Sequence, residues 1–230
     1  MRPTTLKIPV IVSTAFAGFA AFVALAGNAR AQSCGMGDVD WYVTEHAAVA
    51  RAEDMLQHAK PRDAAWELQR MWPRMHEAVP VASSVPVISS GVRLMALAAV
   101  RADGDIRSEL GWSSATPRER AANVAWGISR LRMIVAASAW DLVAKNDLGE
   151  ALARSSETQE EARTMLEALD TAQSILTPEA YAALAAVRAN TGDTTGAGIA
   201  ADECETRAFD AGAQCAVART ARAPAVTAAR

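Results

Sequence analysis

Apolar residues recur at three- and four-residue intervals through most of the chain and seldom alternate singly. That period belongs to helices, whereas alternation marks strands. A first helix is expected over about residues 40–59, capped by Asp38 or Asp40, with Val43, Ala47, Ala50, Met55 and Leu56 near helical spacing. Pro61 suits a first helical position, and "RDAAWELQRMW" (62–72) continues as a second helix that Pro73 stops or kinks. The stretch "VPVASSVPVISSG" (79–91) reads as a connection, after which Ser89 or Ser90 caps a helix containing "RLMALAAVRA" (93–102). Gly104 fits the left-handed position past that helix's end. "DIRSELGW" is at most a short helix, and "SSATP" is a loop.

The clearest helix start is Thr116-Pro117-Arg118-Glu119, a capping box with proline at the first helical position. This helix is expected to run to about residue 144. Val124, Ile128, Leu131, Val135 and Leu142 form one seam, and Trp126, Met133 and Trp140 form a second stripe beside it. Two apolar stripes predict a central, largely buried helix. Residues 145–176 should hold a turn at Asn146-Asp147 and a long helix interrupted near Ser155-Ser156. Met165, Leu169, Ala172 and Leu176 would be its apolar face. Thr177-Pro178-Glu179 opens a further helix that ends at Gly192-Asp193, and the last helix starts near Thr194 or Thr195.

Composition agrees with this pattern. Hydrophobic residues make up 51% of the chain and charged ones 21%, so a packed domain is expected rather than a disordered chain. Alanine, the best helix former, is abundant, and aromatics are only 5%. The expected class is all-α.

The first residues carry an address. Arg2 and Lys7 precede the uncharged run "IPVIVSTAFAGFAAFVALA" (8–26), and Ala29-Arg30-Ala31 fits the small-x-small rule for a signal peptidase. Residues 1–31 are therefore read as a signal peptide cleaved after Ala31, residues 32–218 as one helical domain, and 219–230 as a disordered Ala/Arg tail. An uncleaved anchor is the competing reading, since roughly 19 apolar residues nearly span a bilayer. After cleavage no stable membrane span is expected, and the destination is the periplasm or the exterior. The whole chain carries a net charge of −3, and losing Arg2, Lys7 and Arg30 makes it more acidic. An acidic body without clustered Lys and Arg argues against a nucleic-acid partner.

Export permits disulfides among Cys34, Cys204 and Cys215. On one unbroken helix Cys204 and Cys215 would lie about 16 Å apart, beyond bridging distance. Gly212 could turn the chain so that they meet, and pairing of either with Cys34 is the alternative.

The turn-like pairs Ala59-Lys60, Gly104-Asp105, Asn146-Asp147 and Gly192-Asp193 are spaced by about 45, 42 and 46 residues, as stacked helical hairpins would be. "YAALAAVRANTGDTTGAGIAADEC" (181–204) resembles a tetratricopeptide repeat through Tyr181, Leu184-Ala185, Gly192-Asp193 and Ala197. "VAASAWDLVAKNDLGEALA" (135–153) is similar through Val135, Ser138-Ala139, Leu142, Asp147 and Ala151, and "AEDMLQHAKPRDAAWEL" (52–68) through Ala64 and Leu68. The resemblance implies a short superhelical array whose first helices line a protein-binding groove. An irregular closed bundle is the alternative architecture.

Catalytic signatures are sparse. His46 and His76 lie in no H-E-x-x-H pattern, and His46, His58 and His76 all fall in the first two helices, where they could share a metal but read as surface histidines. G-x-S-x-G and the phosphate-binding glycine motifs are missing. "TGDTTGAGIA" joins two helices and follows no strand, so it lacks the setting of a nucleotide loop. Glu157, Glu160, Glu161 and Glu167, like Glu203 and Glu205, read as solvated helix faces rather than as a glycosidase pair. No catalytic, cofactor or metal residue is assigned, and ionisable side chains are not expected to gather between the helices. The leading reading is an exported, non-enzymatic helical scaffold that binds protein partners in the cell envelope. A bundle holding a small apolar ligand near Trp126, Met133 and Trp140 is the alternative, and a cell-wall enzyme a further one.

Overall fold

The computed structural model describes residues 36–77 and 86–222. The expected signal segment, Cys34, most of the 79–91 connection and the end of the tail lie outside the described residues. The described chain is all-α: α1 (Met36–Gln57), α2 (Pro61–Met71), α3 (Pro86–Arg101), α4 (Pro117–Ala137), α5 (Leu142–Leu152), α6 (Gln159–Thr171), α7 (Pro178–Asn190), α8 (Thr194–Arg207), α9 (Ala211–Gln214) and α10 (Ala216–Arg222). A 3-10 turn, Ser156–Thr158, precedes α6. Among the described residues no helix is long and apolar enough to cross a membrane.

Local chemistry sets these boundaries. The Thr116 hydroxyl accepts from Glu119 N at 3.2 Å while the Glu119 carboxylate accepts from Thr116 N at 2.8 Å, so two otherwise orphaned amides are satisfied at the start of α4. Thr177 caps α7 and Asp193 caps α8 through their side chains. Gly104 has φ +74°, and a Cβ there would also lie 1.9 Å from Arg120 O, so glycine is required twice over.

Several expectations need correction. α3 begins at Pro86, so Ser89 and Ser90 lie inside it rather than capping it. α4 stops at Ala137 rather than near residue 144: Ser138–Trp140 break it, and the Asp141 carboxylate accepts from Ala144 N to cap a new helix. Asn146-Asp147 is consequently not a turn but the buried middle of α5. The second stripe of α4 is not interior, since Met133 is 45% and Trp140 86% exposed, whereas Trp126 packs edge-on against Trp112. On α6 the buried positions are Ala162, Leu166 and Leu169; Ala172 and Leu176 fall beyond the helix and face outward.

The helices form antiparallel neighbours in chain order. α3 packs on α4, α5 on α6 and α7 on α8; α4 then packs on α5 and α6 on α7. The first members also touch one another, α3 on α5 and α5 on α7, and α10 closes the end against α7 and α8. One apolar cluster joins Leu56, Leu68, Met95 and Ile134, and a second joins Leu131, Leu152, Leu166 and Leu184. Each such leucine contributes roughly 1.5–3 kcal/mol by burial. Small residues let the helices approach: Ala151, Ala185 and Ala197 are fully buried, and Gly127 crosses so near α3 that a Cβ would lie 2.7 Å from Ala96 O. Ala139 has no such role, because it sits exposed in the break after α4.

Cys204 and Cys215 are disulfide-bonded, with Cα atoms 6.0 Å apart. The turn that brings them together is at Ala208, whose ψ of 135° ends α8 in an extended residue. Gly212 lies inside α9 and does not make it.

Candidate functional site: a charged groove on the first helices

α1, α3 and α5, the start of α7 and the α8–α9 turn line a groove of about 300 Å³. Its apolar surface includes Leu56, Leu94, Leu97 and Val143, with Phe209 at one side. Phe209 is 75% exposed, yet its ring meets His58 edge-on at 4.5 Å, which links the α8–α9 turn to the end of α1.

Two arginines on α3, two turns apart, carry the floor. Arg101 holds Glu150 of α5 in a bidentate pair, Nε to Oε1 at 2.9 Å and Nη2 to Oε2 at 2.8 Å. Its Nη1 lies 2.9 Å from Glu179 Oε1 of α7 and donates to Leu56 O of α1 at 3.3 Å. Glu179 also accepts from Gln214 of α9 at 2.9 Å. One guanidinium therefore ties together four helices. Arg93 repeats the motif: Nη1 donates to Asp147 Oδ2 at 2.6 Å, and Nη2 lies 3.7 Å from Glu53 of α1.

These charges are largely removed from water. The Asp147 and Glu150 side chains are each 2% exposed and that of Arg101 10%. Burial pushes the Asp147 carboxyl from its usual 3.8 up to about 6, and the Arg93 guanidinium only partly offsets it. Burial also opposes the Arg101 charge, but Glu150 and Glu179 outweigh it and hold the guanidinium protonated. The expectation that ionisable groups stay out of the interior is thus overturned. Fixed charges at low local dielectric are oriented before anything binds, so the floor can read polar groups on an occupant while the leucines cover its apolar atoms.

Asn146, expected in a turn, has a different task. Its Nδ2 donates to Ser174 O at 3.0 Å and its Oδ1 accepts from Leu176 N at 2.9 Å, pinning the α6–α7 connection beside the groove.

The other residues considered from sequence do not come together. His46 is exposed on α1, His58 donates through Nδ1 to Asp54 O, and His76 lies edge-on to Trp112. Among the described residues no three His, Cys, Asp or Glu side chains are grouped to hold a metal. Glu157 and Glu160 face solvent, Glu161 pairs with Arg132, Glu167 with Arg188, Glu203 with Arg207 and Glu205 with Arg219. Sequence reasoning missed Arg93, Arg101 and Glu150 altogether. Their signal was present: two arginines at two-turn spacing within "RLMALAAVR", a run otherwise apolar on every side.

Comparison with known proteins finds no matching family model, no matching curated protein and no matching solved structure.

Proposed function

We propose that this chain is an exported, non-enzymatic scaffold of stacked helical hairpins that holds a segment of a partner protein in the Arg93–Arg101 groove. The observation that carries the reading is the groove's construction. Successive first helices, α3, α5 and α7, each contribute part of one continuous polar and apolar lining. Hairpin arrays present that face to partners. The last three first-helix starts, Leu142, Pro178 and Ala211, lie near the ~34-residue tetratricopeptide period, although the earlier ones are wider apart. The Cys204–Cys215 bridge suits an oxidising compartment, in line with removal of residues 1–31.

A site-specific photocrosslinker tests the groove. Benzoylphenylalanine at Val143 or Leu176, both half-exposed and at the groove, should yield a discrete protein adduct in the native envelope. The same probe at Glu157, on the solvated side of the 3-10 turn, should yield none. Equal labelling at all three positions, or none at any, refutes the reading. Intact-mass measurement of the envelope protein tests export, with a chain starting at Gln32 expected.

A further inference from the structure

A second surface is independent of the groove. Outside the α5–α6 hairpin, Leu142, Met165, Ala168, Leu169 and Ala172 line an apolar depression of about 590 Å³. Trp140, two residues before Leu142, stands 86% exposed, and Met133 is 45% exposed. Met133 and Trp140, from the second stripe expected on α4, and Ala172, from the apolar face expected on α6, have the periodicity of buried helix faces, yet within one chain they are exposed, and Met165 is only partly covered. An exposed apolar area with a protruding aromatic beside a depression is the mark of an interface.

We propose that this face is covered by a second copy of the same chain, in a two-fold dimer that packs α6 antiparallel to its counterpart. The charges at the two ends of the depression carry the choice of occupant. Glu161 lies at its α6 N-terminal end. Lys145, in the first turn of α5, lies at the opposite end, because the neighbouring Asn146 bonds Ser174 just past α6. A two-fold axis across α6 brings the Glu161 end of one copy over the Lys145 end of the other, twice. Glu161 already holds Arg132 through both carboxylate oxygens, but its side chain is 45% exposed, so a further cation can still reach it. Lys145 has no ion pair among the described residues. The arrangement also sets Trp140, which finds no cover in its own chain, at the edge of the partner's depression. A self-complementary face of this kind closes on itself and stops at two copies.

Light scattering on the full processed chain, from micromolar to millimolar concentration, tests the proposal. The expected result is a dimer mass that gives way to monomer on dilution. Ala168→Glu places a charge at an exposed position of α6, where the isolated fold tolerates it, and should raise the dimer dissociation constant by about tenfold or more. Lys145→Glu and Glu161→Lys should each weaken the dimer, and the double reversal should restore it. Monomer at every concentration overturns the proposal, as does a dimer indifferent to Ala168→Glu or a double reversal no better than either single change. A monomer that instead binds phosphatidylcholine vesicles, and loses that binding with Ala168→Glu, assigns the face to lipid and also overturns it.

Discussion

Replacing Asp147 by asparagine isolates the electrostatics of the groove floor. The carboxyl titrates near 6 in the folded chain against 3.8 ordinarily, because burial opposes its charge more strongly than Arg93 favours it. Glu150 adds to the rise and Arg101 works against it. The folded chain therefore holds this proton more tightly than the unfolded chain does. Below about pH 4 both states are protonated and the contribution to stability is complete; it is lost as the pH rises toward about 6, and above that it stays lost. A displacement of roughly two pH units corresponds to about 3 kcal/mol at ~1.4 kcal/mol per unit. Asparagine keeps the shape and an acceptor for Arg93 but does not titrate. Urea unfolding followed by circular dichroism, on both proteins between about pH 4 and pH 7, gives the difference in stability at each pH. Contributions from other carboxylates, such as Glu119 held low by its capping hydrogen bonds, cancel in that difference. The wild type should lose stability relative to Asp147→Asn by about 2–3 kcal/mol across the window. Parallel curves, with a difference that does not change with pH, refute the account.

Three other changes probe the frame that holds the groove. Arg101→Met removes the cation from Glu179 and leaves buried Glu150 only Arg154 at 3.9 Å, and should cost about 3–5 kcal/mol in urea unfolding, with Glu150→Gln in the same chain recovering part of it. The double change Cys204→Ser/Cys215→Ser frees the α8–α9 turn and should cost about 3 kcal/mol, read as a lower calorimetric transition temperature. Gly127→Ala drives a methyl against Ala96 O and Val100, forcing α3 and α4 apart, and should destabilise by about 1–3 kcal/mol in the same unfolding assay.

The parts of the fold legible in the sequence are those decided within a few residues. Thr116 and Glu119 complete their capping box with each other, and Gly192 and Asp193 end one helix and cap the next. Such signals need no distant partner, so the helical class and the starts of α2, α4, α7 and α8 could be read from them. The misreadings arise where distant contacts decide. Asn146-Asp147 has the composition of a turn, yet Asn146 finds its partners at Ser174 and Leu176 and Asp147 finds Arg93. Those bonds satisfy the polar side chains inside a helix, and a residue that favours turns is then free to continue one. Locating the missing turn there also stretched the apparent repeat over a helix interior. The true break at Ser138–Trp140 contains neither glycine nor proline, and its local signal is only the cap that Asp141 gives to Ala144.

The groove was hidden for the same reason in stronger form. A charged residue on a helix reads as solvent-facing unless its surroundings forbid it, and the partners of Arg101 come from three other helices. The useful inference runs from α3 itself. Val92 and Leu94–Val100 are buried, so this helix has no wide polar face on which Arg93 and Arg101 could be solvated. A guanidinium held on such a helix must find carboxylates on its neighbours or the helix cannot pack. Asp147 and Glu150, themselves lodged among buried Ala144, Leu148, Ala151 and Leu152, pose the matching problem on α5. Two largely buried helices, one carrying a pair of arginines and the other a pair of carboxylates, each pair spaced to lie on one side, must therefore face each other. The pairing that places α3 against α5, and so builds the groove, follows from that requirement rather than from the spacing of turns.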